Sequence, residues 1–108
     1  MAKIPAPAAL RGENGAVLSS RAVIATRLAG RYADLLAQRL GDKADVEPLP
    51  GGYRLSFSGG EGLVGCGPDT LSLIAIADDV PSLVGLRDLL RITIERLGHR
   101  DRLRVHWN

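Results

Sequence analysis

The chain has 108 residues, of which 45% are hydrophobic and 24% are charged, and its formal net charge is +2. This length and composition are typical of one globular domain and exclude a collagen, a coiled coil or a wholly disordered chain. The single cysteine, Cys66, excludes the disulfide framework of small secreted domains and favours a reducing compartment. We therefore predict one cytoplasmic domain.

The first eighteen residues contain prolines and glycines without hydrophobic periodicity. They predict a disordered tail over residues 1–18, followed by a single domain over residues 19–108. The tail lacks a continuous apolar stretch of signal-peptide length. The longest apolar run elsewhere, Leu73 to Ala77, has five residues against the roughly 20 that span a bilayer. We expect neither export nor membrane insertion.

The first two elements are a strand that leads directly into a helix. Residues 20–26 contain adjacent β-branched residues and end at Thr26, a candidate N-cap. From Arg27 to Leu40, leucines and a tyrosine recur at steps of three and four residues, which predicts an amphipathic helix. Gly41 is placed to end it.

Four short strands separated by turn residues come next. They are predicted over residues 44–49, 53–58, 61–66 and 70–77. In the second of them apolar and polar residues alternate, as in a sheet with one solvated face. The fourth is apolar on both faces, so we expect it in the interior of the sheet or partly covered by the tail or a partner.

A second helix and a last strand complete the pattern. Asp78 and Asp79 are N-cap candidates before Pro81, leucines and an isoleucine recur from residue 83 to residue 97, and Gly98 ends the helix. Residues 102–107 alternate basic with apolar side chains, which predicts a strand. The order β-α-β-β-β-β-α-β predicts an α+β fold, an antiparallel sheet with both helices on one face.

No motif in the chain indicates an enzyme. The glycines of residues 58–62 lack the helix start that a phosphate loop needs and are explained by a hairpin turn. Cys66 has no histidine near it in the sequence and is most simply a small hydrophobic residue. Asp78 and Asp79 resemble a carboxylate pair, but their place before Pro81 favours capping. We therefore predict no catalytic residue and no cofactor.

Two histidines and one cysteine cannot form a structural zinc site, although a site completed by carboxylates is conceivable. The simplest interpretation of His99 is a cation at the C-terminus of the second helix. We therefore predict no metal site. Nucleic acid is a poor ligand candidate because the chain has only four aromatic residues and nearly as many acidic as basic ones.

The most suggestive polar residues are His99, Arg100, Arg102, Arg104 and His106. Strand alternation would place the last three in a row on one face, about 6–7 Å apart, where they could hold an anionic ligand. The alternative is a solvated face with ion pairs to neighbours such as Asp101. Our candidate anion site consists of Arg100, Arg102, Arg104 and His106.

The chain from Ala22 to Trp107 resembles a bacterial family, domain of unknown function 2218. The resemblance lies in AVIATRLAGRYADLLAQRLGDKADVE, in the glycine-separated strands and in IERLGHRDRLRVHW. It implies a cytoplasmic domain of the β-α-β4-α type, similar in some bacteria to a segment fused to siderophore-interacting, flavin-dependent ferric reductases. Family members typically have histidine where this chain has Asp42, and often where it has Thr93, so a metal or haem role resting on those histidines does not carry over.

These observations lead to two functional hypotheses. The first is a non-enzymatic binding or accessory domain of iron and siderophore metabolism, whose basic row binds an anionic molecule such as a ferric siderophore. The second is a protein-interaction module that forms a homodimer or docks on a partner reductase through a sheet edge or an apolar sheet surface.

Overall fold

The computed structural model describes residues 17–108. The elements, in chain order, are β1 (Leu18–Ala25), α1 (Ala29–Leu40), β2 (Asp45–Leu49), β3 (Gly52–Phe57), β4 (Gly60–Cys66), β5 (Thr70–Ala77) and α2 (Val80–Leu97). These seven elements follow the predicted order, and no strand bound differs from the prediction by more than two residues. The predicted α+β class is confirmed.

The five strands form one antiparallel sheet in the order β1-β5-β4-β3-β2. Consecutive strands β2 to β5 pair as a meander, and β1 adds to the far side of β5. The strand that is apolar on both faces, β5, is therefore an interior strand, as its sequence predicted. The central strand of the sheet is β4.

Both helices cover the same face of the sheet. Alternate strand residues that include Leu55, Leu71 and Leu73 are fully buried against them. Leu36 of α1 and Leu90 of α2 are also fully buried, and a Cβ added at Gly62 of β4 would lie 3.4 Å from the Leu90 side chain. We call this covered surface the helix side and the opposite surface of the sheet the open face.

The N-cap of helix α1 lies two residues after Thr26, the N-cap predicted from the sequence. Its N-cap is Leu28, whose carbonyl accepts the first helical hydrogen bond from the Tyr32 N–H at 3.0 Å. The Thr26 hydroxyl still accepts a hydrogen bond, from the Leu28 N–H at 3.1 Å. Thr26 therefore stabilises the turn before the helix instead of the helix itself, and α1 ends at Gly41 as predicted.

Helix α2 begins and ends as its sequence predicts. The Asp79 carboxylate accepts a hydrogen bond from the Ser82 N–H at 2.8 Å, and Pro81 lies in the first turn, where its missing N–H costs no helical hydrogen bond. The helix ends at Gly98. On its outer face Arg91 forms ion pairs with Asp88 at 3.7 Å and Glu95 at 3.5 Å.

The predicted last strand does not form. Residues 102–107 keep the predicted alternation, with Leu103 and Val105 buried, but they belong to no strand of the sheet. The chain turns after α2, where Arg102 has a φ of 57°. The Val105 N–H donates a hydrogen bond to the Glu95 carboxylate at 3.0 Å. These residues are therefore packed on the helix side by their apolar side chains, and beyond them the Asn108 N–H donates to the Arg21 carbonyl of β1 at 2.9 Å.

The predicted tail lies outside the described residues, except for Val17 and for Leu18, which already belongs to β1. Within residues 17–108, neither helix is long and apolar enough to cross a membrane.

Candidate anion-binding cleft

A cleft of about 460 Å³ lies where the start of α1 meets the end of α2. Two segments line the cleft, one at the start of α1 and one at the end of α2. The first contributes Leu28, Arg31, Tyr32 and Leu35, and the second contributes Arg96, Leu97, His99, Arg100 and Asp101. The helices bring these segments together because both pack their apolar sides on the same face of the sheet. The helical period then exposes the charged neighbours of those apolar residues around the cleft.

Two of the residues that line the cleft, Tyr32 and Asp101, are joined by a hydrogen bond. The tyrosine is 5% exposed and its hydroxyl donates to the Asp101 carboxylate, which joins α1 to the turn after α2. This hydrogen bond raises the pKa of Tyr32, and burial and the negative charge of Asp101 raise it further against a smaller opposing effect of Arg31. Tyr32 is therefore a neutral donor that fixes the position of the carboxylate.

The charge around the cleft is predominantly positive. Three arginines line the cleft, Arg31, Arg96 and Arg100, whereas Asp101 contributes the one carboxylate among its lining residues. Within residues 17–108, none of these three arginines has a carboxylate oxygen within 4.0 Å of its charged nitrogens. Their guanidinium groups keep their donors available for a ligand, and such donors form strong charge-assisted hydrogen bonds with anions.

The structure separates the residues of the basic row predicted from the sequence. Arg100 lines the cleft, whereas Arg104 lines a neighbouring groove with Ile92 and Glu95. Arg102 and His106 are exposed and line neither. Arg102 lies in the turn after α2 with a φ of 57°, and residues 103–108 belong to no strand, so the regular strand spacing assumed for the row does not apply.

Arg96 and His99 line both cavities and therefore lie on the ridge between them. The sequence pattern places His99 both at a helix C-terminus and beside the basic row, but it does not single out Arg31, Tyr32 or Arg96. Tyr32 was read as one residue of an apolar stripe. The signal that could have identified it is a phenol group in that stripe, since a buried hydroxyl requires a polar partner.

Cys66 lies near a second tyrosine–aspartate pair. Its thiol is 3.7 Å from the Ala29 carbonyl, and Tyr53 donates to Asp34 at 2.6 Å. Burial, with a smaller contribution from the charge of Asp34, raises the pKa of the Cys66 thiol. A raised pKa disfavours the thiolate that a nucleophile requires.

The remaining sequence features have structural explanations. Within the described range, no three side chains of histidine, cysteine, aspartate or glutamate come together as a metal site. Ser58 and Gly59 form the hairpin turn between β3 and β4. Gly60 follows it, where a Cβ would lie 2.2 Å from the Ile76 carbonyl oxygen, so only glycine fits. Thr93 is buried and donates to the Leu89 carbonyl at 2.7 Å.

Fold and cleft together define a small α+β domain with a basic cleft at its helix ends. The family model for an uncharacterised protein conserved in bacteria, domain of unknown function 2218, matches residues 21–108. The chain belongs to this family.

A solved structure supports the same fold. The NMR structure of PA4090 from Pseudomonas aeruginosa superposes with a TM-score of 0.70 at 23% sequence identity, covering 83% of this chain and 94% of that one. No curated protein matches the chain.

Proposed function

We propose that this domain is a cytoplasmic, non-enzymatic binding protein that holds an anionic small molecule in the cleft between the start of α1 and the end of α2. The observation that carries the proposal is the set of arginines Arg31, Arg96 and Arg100, which face the cleft without ion-pair partners in the described chain. A volume of about 460 Å³ is in the range of small-molecule sites.

The ligand class that we propose is a ferric siderophore. The resemblance to segments fused to siderophore-interacting reductases supports an accessory role in iron acquisition, and many ferric siderophores are anionic. The cleft also has apolar walls, contributed by Leu28, Leu35 and Leu97. Apolar walls combined with a few fixed charged donors suit a catecholate complex, which has aromatic rings and anionic oxygens.

The test is isothermal titration calorimetry of the domain with a ferric tricatecholate siderophore. We expect the double variant Arg31→Ala/Arg100→Ala to bind more weakly by roughly ten- to a hundredfold for each arginine, because a hydrogen bond to a charged group contributes about 1.5–3 kcal/mol. Both arginines are exposed, so the variant should keep the thermal stability of the parent. Unchanged affinity in this variant would contradict the cleft assignment.

The matched control is Arg102→Ala/Arg104→Ala, which removes the same charge outside the cleft. We expect it to retain most of the affinity, with a small loss from the weaker overall positive potential. Arg102, Arg104 and His106 remain the alternative site predicted from the sequence. Loss of binding in this control alone would transfer the site to them. A parent domain that binds no ferric siderophore would overturn the proposed ligand.

A further inference from the structure

The open face of the sheet has an apolar centre that no element of the described chain covers. Leu63 of β4 and Ile74 and Ile76 of β5 are half-buried there, and Val23 of β1 is 58% exposed. A soluble sheet with one solvated face normally places polar residues at such positions. A contiguous apolar surface of this kind marks an interaction site.

Both edges of the sheet are poorly suited to pairing with another strand. The β2 edge contains Pro48 and two carboxylates, Asp45 and Glu47, features that protect edge strands from association. At the β1 edge the Arg21 carbonyl already accepts a hydrogen bond from the Asn108 N–H at 2.9 Å. Any partner of the sheet is therefore expected on its open face and not at an edge.

The strand register arranges the open face in rows that run across the sheet. One row contains Arg21, Ile74, Leu63, Arg54 and Glu47, taken from β1 to β2. Arg21 is exposed and has no carboxylate within 4.0 Å among residues 17–108. The row is thus basic at one edge, apolar in the middle and acidic at the other edge.

The next row begins with Val23 on β1 and ends with Leu49 on β2. Between them lie Ser72, Gly65 and Gly52, and a shallow depression of about 180 Å³ includes these residues and is bordered by Leu49, Leu63 and Ile74. This row is therefore apolar at both ends and low in the middle, which leaves space for side chains from a facing surface.

From these rows we propose that the open face binds a second copy of this chain as a symmetric dimer. A twofold axis parallel to the strands and along β4 exchanges β1 with β2 and keeps each row opposite itself. Arg21 then faces Glu47 of the other copy, Val23 faces Leu49, and Leu63 meets its own equivalent on the axis. The surface is complementary to itself in both charge and apolarity, as an isologous interface requires.

The remaining charged residues of the face are compatible with this arrangement. Glu61 also lies on β4 and would face its own equivalent, but Arg54 neutralises it through a contact of 3.4 Å and also pairs with Glu47 at 3.1 Å. The aliphatic stem of Arg54 lies opposite Ile74 of the other copy and can pack on it. The proposal does not depend on the anion-binding cleft, which is on the helix side.

Sedimentation velocity over a range of protein concentrations tests the dimer directly. The monomer mass is 11.5 kDa, and we expect a species of twice that mass. Leu63→Glu should increase the dissociation constant roughly a hundredfold, because it places two carboxylates at the centre of the interface. Val84→Glu is the matched control, since Val84 is 46% exposed on α2 and lies outside the open face.

Charge reversal tests the orientation of the two copies and uses exposed positions that do not threaten folding. Arg21→Glu alone should weaken the dimer, as should Glu47→Lys alone, and the double variant should recover most of the parent affinity. A parent that stays monomeric at millimolar concentration, or a dimer that Leu63→Glu leaves intact, would overturn the proposal. A dimer that both single reversals leave unchanged would overturn the proposed orientation.

Discussion

The two sides of the sheet show how the same strands support two different surfaces. On β5, Leu71 and Leu73 point to the helix side and are fully buried, whereas Ile74 and Ile76 point to the open face and stay half-buried. The alternation of strand side chains separates them. The helix side uses its apolar residues to hold α1 and α2, and the open face keeps its apolar residues without an intramolecular partner.

The difference between the sides also separates their expected ligands. Folding against the helix side brings the ends of α1 and α2 together and creates a concave basic cleft. The open face is broad, shallow and self-complementary. We infer that the first suits a small anion and the second a protein surface.

The largest expected effect distinguishes the two sides by their contribution to folding. Leu73→Ala should reduce the free energy of unfolding by about 2–5 kcal/mol, because it leaves a cavity in the core. Leu63→Ala, on the open face, should cost less than about 1.5 kcal/mol at concentrations where the chain is monomeric. Urea unfolding followed by circular dichroism measures both. Equal losses would show that the open face belongs to the core.

A smaller effect is expected from the cleft's internal hydrogen bond. Tyr32→Phe should reduce the free energy of unfolding by about 1–3 kcal/mol, since it removes a part-buried bond to Asp101 and leaves that carboxylate without its donor. The fold raises the pKa of Tyr32 above its ordinary value of 10. The stabilisation by this hydrogen bond is therefore complete below pH 10 and is lost as the pH rises through the raised pKa.

Tyr53→Phe is the control for that variant because its hydroxyl makes an exposed bond to Asp34. We expect a smaller loss of stability from it, measured by the same urea titration near neutral pH. A loss of stability as large as that of Tyr32→Phe would contradict the larger contribution that we assign to the Tyr32–Asp101 hydrogen bond.

The smallest of these effects concerns the start of α2. Asp79→Ala should lower the melting temperature by a few degrees, because the Ser82 N–H loses its cap. That hydrogen bond lowers the pKa of Asp79, so its stabilisation is present above the ordinary value of 3.8 and is lost as pH falls below it. Melting curves from pH 7 to pH 3 should therefore converge for parent and variant. Asp78→Ala, next to the cap, should change little.

Local sequence signals were sufficient for most of the fold. Turn glycines, the alternation in β3 and the cap at Asp79 each depend on neighbours within a few residues, and the structure agrees with all of them. The predicted last strand was wrong because the alternating pattern of Leu103 and Val105 shows only that one side of the segment is buried. A strand also needs a free sheet partner, and pairing between distant segments is not visible in a local pattern.

The cleft could be predicted less well for the same reason. Arg100 was identified from its local charge pattern, but its neighbours Arg31 and Tyr32 come from a helix about seventy residues earlier in the chain. Only the packing of α1 beside α2 brings them together. The sequence shows that the chain is rich in arginine, and the fold decides which arginines share a site.

We propose that a small anion binds on the helix side and does not contact the open face. We would titrate the ¹⁵N-labelled domain with a gallium tricatecholate, a diamagnetic equivalent of the ferric complex, and follow the backbone amide signals. We expect shifts concentrated in residues 28–35 and 96–101, with the amides of Leu63 and Ile74 unchanged. Shifts concentrated on the open face, or none at saturating ligand, would contradict it.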